Sequence, residues 1–228
     1  MSREVVVPGD LLDDSGQKEA GSNAYKEGSE VYAERVGLKK EGSNHVEVVA
    51  LSGKRYEPQR GDLVIGTIIE AKPSIWFLDI NGPSDVGMHV NEVPWRVDFG
   101  ETTKYLDIGE TALMKVYHVD EQREAQVTMK DRTCRKLEGG TTITVPPSKV
   151  PRIIGRRGSM IKTIKNNTDC RLFVGKNGVI WFDGEPEEVS HVRDAIHMIV
   201  DQAHTSGLTE RVETFLDEGP EAVDPPTE

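Results

Sequence analysis

The stretch Val150-Pro-Arg-Ile-Ile-Gly-Arg-Arg-Gly-Ser-Met-Ile-Lys-Thr-Ile164 decides how this chain is read. Gly155 and Gly158 bracket Arg156 and Arg157, with apolar-periodic residues on either side, a pattern of helix, GxxG turn and helix. From Gly139 to Thr168 there is no Asp or Glu, yet Lys149, Arg152, Arg156, Arg157, Lys162 and Lys165 all fall inside. At the average density of the chain, about five carboxylates belong in such a window. The whole protein carries a net charge of -11, so this island points to a negatively charged ligand.

Working outward, Thr141–Val145 predicts a strand stopped by Pro146-Pro147, and Ser148 is placed to cap a short helix ending at Ile154. A second helix runs from Ser159 to Asn166 with Ile161 and Ile164 facing inward. Arg171–Val174 and Val179–Phe182 read as two strands joined through Gly175-Lys-Asn-Gly178. Glu185 to about His204 is an amphipathic helix, with Pro186 in its first turn and Val189, Val192, Ile196, Ile199 and Ala203 on one face. The order β-α-turn-α-β-β-α is that of a type I KH domain, set here at residues 132–206. In that fold the GxxG turn clamps the backbone of single-stranded RNA. Gly155 and Gly158 let phosphates approach the main chain, and the helix starting near Ser159 offers amide N–H groups to an anion. Arg156 and Arg157 add charge-assisted contacts, while Ile153 and Ile154 floor a groove for bases. Lys149, Arg152, Lys162 and Lys165 complete the candidate surface. The last segment, 207–228, is acidic and contains Pro220, Pro225 and Pro226, and reads as a disordered tail.

Upstream, residues 59–131 hold five short strands: Gly61–Glu70, Ile75–Ile80, Val86–Val90, Ala112–Asp120 and Ala125–Met129. Five strands in so short a segment predict a closed barrel of the OB type. Trp76 and Phe77 alternate across the sheet, so one of them is core. Residues 1–58 give three strand-like runs, at 4–12, 31–38 and 46–51, with a polar loop through about Gly28 between the first two. So small an all-β unit is marginal alone and is expected to pack on a partner. Val5, Val6, Val7, Leu11 and Leu12 are candidates for its core or its contact face.

Charge is distributed by block. Basic and acidic side chains number 8 and 11 in residues 1–58, 7 and 13 in 59–131, 12 and 8 in 132–206, and 1 and 7 in 207–228. Only the third block is positive, which leaves a polyanion one basic route. Cys134 and Cys170 form no CxxC pair, so neither a structural zinc site nor a disulfide framework is expected. No run is long enough to span a membrane and no signal-peptide core follows Met1, so the expected location is cytoplasmic. Asp10, Asp13 and Asp14 could imitate a metal cluster, and His89, His118 and His191 general bases. No nucleophile–base spacing or phosphate-binding loop accompanies them, so no cofactor, metal or catalytic residue is expected.

The ordered set Val6-Val7-Pro8-Gly9-Asp10, Tyr56-Glu-Pro-Gln-Arg-Gly-Asp62, the 150–161 segment and Phe173-Val-Gly-Lys-Asn-Gly-Val-Ile-Trp181 resembles the archaeal exosome RNA-binding cap subunit, the ribosomal RNA-processing protein 4 family. The resemblance runs from about residue 4 to 206. It implies an N-terminal β domain that docks on a ring, an S-one-type OB barrel and a KH domain. It also implies a non-catalytic part: a trimeric cap, alone or mixed with the other cap protein, on a hexameric phosphorolytic ring that degrades RNA 3′ to 5′ and favours A-rich substrates. Matched to S-one-type domains, Phe77 and His89 fall at stacking positions, and Lys72, Lys104 and Arg123 are further candidates on the barrel. Ser74 stands where an aromatic is frequent, and Glu124 where a cation is frequent. The alternative is a free-standing OB–KH transcription or translation factor.

Overall fold

The computed structural model describes residues 4–50, 56–203, 205 and 207–219, and the chain divides into two compact units, residues 1–54 and 55–228. The first unit is all β. Strands β1 (Val5–Val6), β6 (Gly37–Glu41), β7 (His45–Ala50) and β3 (Glu19–Ala20) form one sheet in that order, and β2 (Leu11–Asp13), β5 (Glu30–Ala33) and β4 (Ala24–Glu27) a second. The single strand expected over 4–12 is therefore two, because Gly9, at φ +90°, turns the chain from one sheet to the other. The run 31–38 is divided likewise, and the expected loop through Gly28 contains β3 and β4. Residue 51, which ended the third expected run, lies outside the described residues. Val6, Leu12, Val31, Ala33, Val46 and Val48 make a small core, whereas Val5, Val7 and Leu11 are exposed at 59%, 49% and 49%. Alternation thus separates core from surface in this segment.

In the second unit, β8 (Leu63–Lys72), β9 (Ile75–Asp79), β10 (Val86–His89), β11 (Thr111–Val119) and β12 (Ala125–Thr128) close a barrel. The order is β12-β10-β9-β8-β11, and β11 pairs back onto β12. The single parallel contact, Gly87 opposite Gln126, joins the third and fifth strands, as OB closure requires. Trp76 is the core member of its pair, fully buried and donating from Nε1 to the Leu106 carbonyl at 2.9 Å. Phe77, on the other face, is half-buried. Tyr56 packs into this core, and burial, then its hydrogen bond to Asp62, pushes the Tyr56 hydroxyl well above its ordinary range.

A short strand, β13 (Arg135–Leu137), pairs with β11 and leads into the KH domain. There β14 (Thr141–Thr144), β16 (Val179–Asp183) and β15 (Arg171–Val174) form an antiparallel sheet in that order. It is covered by α1 (Val150–Ile154), α2 (Ser159–Asn166) and α3 (Pro186–Asp201). A turn of 3-10 helix over Pro147–Lys149 precedes α1, so Ser148 lies inside that turn and caps nothing. The tail expected to be disordered from residue 207 instead forms α4 (Leu208–Asp217), packed on α2 and α3. Leu208, Val212 and Leu216 are buried in the KH core, and Phe215 stacks on His191 at 4.4 Å. Residues 220–228 lie outside the described set.

Barrel and KH domain share a seam. Ile65, Leu113, Leu137 and Trp181 form an apolar cluster, and Asn177 inserts between them fully buried. Pairing of β8 with β9 begins only at Thr67, so the β8 edge before it would be open. The KH hairpin closes it: Lys176 N–H donates to Leu63 at 2.8 Å and Asn177 engages Ile65. Lys176 Nζ also reaches Asp62 at 3.0 Å.

Candidate nucleic-acid interface

The GxxG loop joins α1 to α2 through an unusual backbone. Gly155 has φ +75°, Arg157 φ +54° and Gly158 φ +77°. A left-handed Arg157 is unfavourable by about 1 kcal/mol, so the surrounding structure holds it there. The two glycines have different reasons. A Cβ on Gly155 would lie 2.6 Å from the Met160 nitrogen and 2.8 Å from Ser159 Oγ, so this glycine is required by the start of α2 itself. A Cβ on Gly158 would have only Ile161 Cγ2, 3.8 Å away, as neighbour. The space beside Gly158 is open to a ligand. It is also the N-cap of α2, with no side chain satisfying the first amide groups of the helix.

Arg156 and Arg157 are exposed, and neither they nor Lys149 and Lys162 pair with a carboxylate among the described residues. The other candidates are placed differently. Ile153 is fully buried in the KH core, a correction to its expected place on the groove floor. On a five-residue helix packed against a sheet, one of two consecutive isoleucines must turn inward. Ile154 stays partly exposed. Arg152 donates from Nη2 to the Thr205 carbonyl at 3.3 Å, toward the C-terminal end of α3. Lys165 lies over the Phe173 ring at 5.5 Å, joined there by Arg135 at 5.2 Å. Phe173 and Arg135 were not singled out from sequence. The exposed–buried alternation of Arg171-Leu172-Phe173 was the available signal for the first.

On the barrel, Phe77, His89 and Lys72 line one cleft, whereas Lys104 pairs with Glu101 and Arg123 lies 3.9 Å from Glu57. His89 Nδ1 accepts the Asn91 N–H at 3.1 Å, capping a 3-10 turn. Glu124 lines the same cleft as Phe77, while Ser74 accepts the Val90 N–H through its carbonyl. Burial, then the Glu92 carboxylate, pushes the Tyr117 hydroxyl up on this face. The three histidines weighed as bases sit on β10, β11 and α3. Asp10 and Asp13 hold their own loops, accepting from Val7 and Ser15. Among the described residues no group of three or more His, Cys, Asp or Glu could hold a metal ion. No described helix is long and apolar enough to cross a membrane.

A GxxG loop opening an uncapped helix, on a KH domain fused to an OB-type barrel, defines a multidomain fold of the single-strand-binding class. Residues 140–200 match the family model of the KH domain, and residues 3–52 that of the exosome RNA binding protein RRP4 N-terminal domain. The chain is 41% identical over 215 residues to the exosome complex component Rrp4 of Picrophilus torridus, covering 94% of this chain and 93% of that one. It is 39% identical to the Methanosarcina mazei protein of the same name, over 95% of this chain and 82% of the other. A solved structure described provisionally as an exosome complex RNA-binding protein superposes with TM-score 0.64 at 33% identity, covering 72% of this chain and 96% of its own. The chain belongs to the Rrp4 family of exosome complex components.

Proposed function

We propose that this protein is a non-catalytic, RNA-binding cap component of an exosome. In this reading it raises RNA capture and 3′ to 5′ degradation by a hexameric phosphorolytic ring, with preference for A-rich strands. The observation that carries it is the GxxG loop, with open space at Gly158 at the start of α2 and two exposed arginines that have no carboxylate partner among the described residues. A phosphate there meets amide donors and the positive end of the helix, with Arg156 and Arg157 adding charge-assisted bonds. Lys149 and Lys162 extend this surface, whereas Arg152 and Lys165 have intramolecular partners that a strand would have to compete for. The exposed Val5, Val7 and Leu11 supply an apolar face suited to docking on the ring. Assembly as a trimer, alone or mixed with another cap protein, and action in the cytoplasm belong to the same reading.

The test is reconstitution with the ring subunits. The expected result is a stoichiometric complex by size-exclusion chromatography, with faster phosphate-dependent shortening of A-tailed RNA than the ring alone gives. The protein alone leaves RNA intact with or without phosphate and magnesium. Failure to assemble would favour a free-standing OB–KH regulator.

A further inference from the structure

The concave face of the barrel carries charges of the wrong sign for a nucleic acid. Glu70, Asp85, Glu92 and Glu124 line it, and Lys72 is the one Lys or Arg among its lining residues. That lysine is engaged. Its ammonium lies 4.6 Å from the centre of the Phe77 ring and 3.4 Å from the Glu70 carboxylate. Glu92 stands 3.5 Å from Lys130, but Asp85 and Glu124 have no cationic partner among the described residues. A strand entering here would set phosphates against uncompensated carboxylates and find the Phe77 face already covered.

We propose that this cleft docks a basic, extended segment of a protein partner. An arginine of that segment takes the position Lys72 now holds on Phe77 and pairs with Asp85 or Glu124. Lys72 displays the chemistry within the chain itself: a cation seated on an aromatic ring beside a carboxylate. Guanidinium suits the site better than ammonium, because it stacks on the ring while its edge donates to two oxygens. Ile69, 41% exposed, and the half-buried Tyr117 give the methylene stem an apolar wall. The segment and an RNA strand occupy different domains, so the inference stands apart from the reading of the KH loop.

The probes are a fluorescein-labelled peptide of alternating arginine and serine and, in separate titrations, a labelled oligoadenylate, each added to the full chain at low salt. In D85N/E124Q the peptide affinity is expected to fall roughly tenfold. A control removing the same charge from α3, E187Q/D194N, is expected to change it less than twofold, and Phe77→Ala to leave oligoadenylate affinity unaltered. Equal losses in the two double variants would reduce the interaction to the net charge of the chain and overturn the proposal. So would absence of peptide binding to the wild type. Weaker oligoadenylate binding in Phe77→Ala would make the cleft an RNA site and overturn it as well.

Discussion

Asn177, in the hairpin between β15 and β16, accepts the Ile65 N–H at 3.2 Å and donates to the Ile65 carbonyl at 2.6 Å. One KH side chain thus satisfies both backbone groups of a barrel residue, as a neighbouring strand would. Its Nδ2 also donates to the Ile80 carbonyl at 2.8 Å. Asn177→Ala leaves these buried groups without partners and is expected to lower stability by about 3 kcal/mol, read from urea midpoints at constant m-value. Asn177→Asp, which can accept but not donate, is expected to be worse, because a carboxylate would face two carbonyl oxygens.

At the loop, the two glycines are expected to fail in different assays. Gly155→Ala drives a Cβ into the first residues of α2 and acts on folding, costing about 2 kcal/mol or more in thermal or urea unfolding. Gly158→Asn is sterically permitted in the free protein and tolerates a left-handed backbone, so stability changes little, while RNA affinity is expected to fall in part because the side chain occupies the space proposed for phosphate. Gly158→Asp places a negative charge at the start of α2, where phosphate is proposed to sit. It is expected to fold and to lose most RNA affinity; unchanged binding would remove the clamp from this loop.

Replacing Arg156 and Arg157 together by Ala is expected to flatten the dependence of log affinity on log salt by up to roughly 0.7 per lost phosphate contact on a single strand. Fluorescence anisotropy over a salt series reads this directly. A slope equal to wild type would assign both arginines to something other than RNA.

Leu216→Ala tests the terminal helix. The side chain is 3% exposed, in the core that α4 shares with α2 and α3, so truncation is expected to cost about 2–4 kcal/mol. A change within 0.5 kcal/mol, the ordinary range for surface sites, would return α4 to the status of a loose tail.

Burial, and then the Glu188 carboxylate, pushes the Cys170 thiol up to about 11. Raised in the fold, the group stays neutral at pH 8; the stability linked to it is fully present below the ordinary thiol value and is lost as pH rises from there through the folded value. Native protein is therefore expected to react slowly with iodoacetamide at pH 8 at this position, and unfolded protein rapidly, as mass spectrometry of the Cys170 peptide would show.

The KH domain was legible because its information is local: paired glycines, a proline stop, a hairpin and one amphipathic helix follow each other in order. Gly155 and Gly158 were read together as admitting phosphate, and only the fold separates them, since the atoms Gly155 avoids belong to Met160 and Ser159 whereas Gly158 borders open space. The helix α4 escaped notice because its acidic residues dominate composition. Yet Leu208, Val212, Phe215 and Leu216 recur at helical spacing, and that period was the readable signal. In the N-terminal unit the alternation was visible, but which sheet each half-strand joins depends on pairing across the chain, from Val5 to Leu38 and Glu19 to His45. On the barrel, matching single positions singled out Phe77 and His89, which line one cleft. Only the fold gathers the carboxylates around them.

The crowding of Gly155 against Met160 bears on timing. A loop shaped by the helix it precedes is set in place by the fold itself, before any strand could arrive. Under the proposed clamp, capture would wait on collision alone, and dwell time would be set by the few phosphate bonds made. Such a part behaves as a guide rail rather than a latch. Under that proposal a strand would advance along it one nucleotide at a time without the protein having to open.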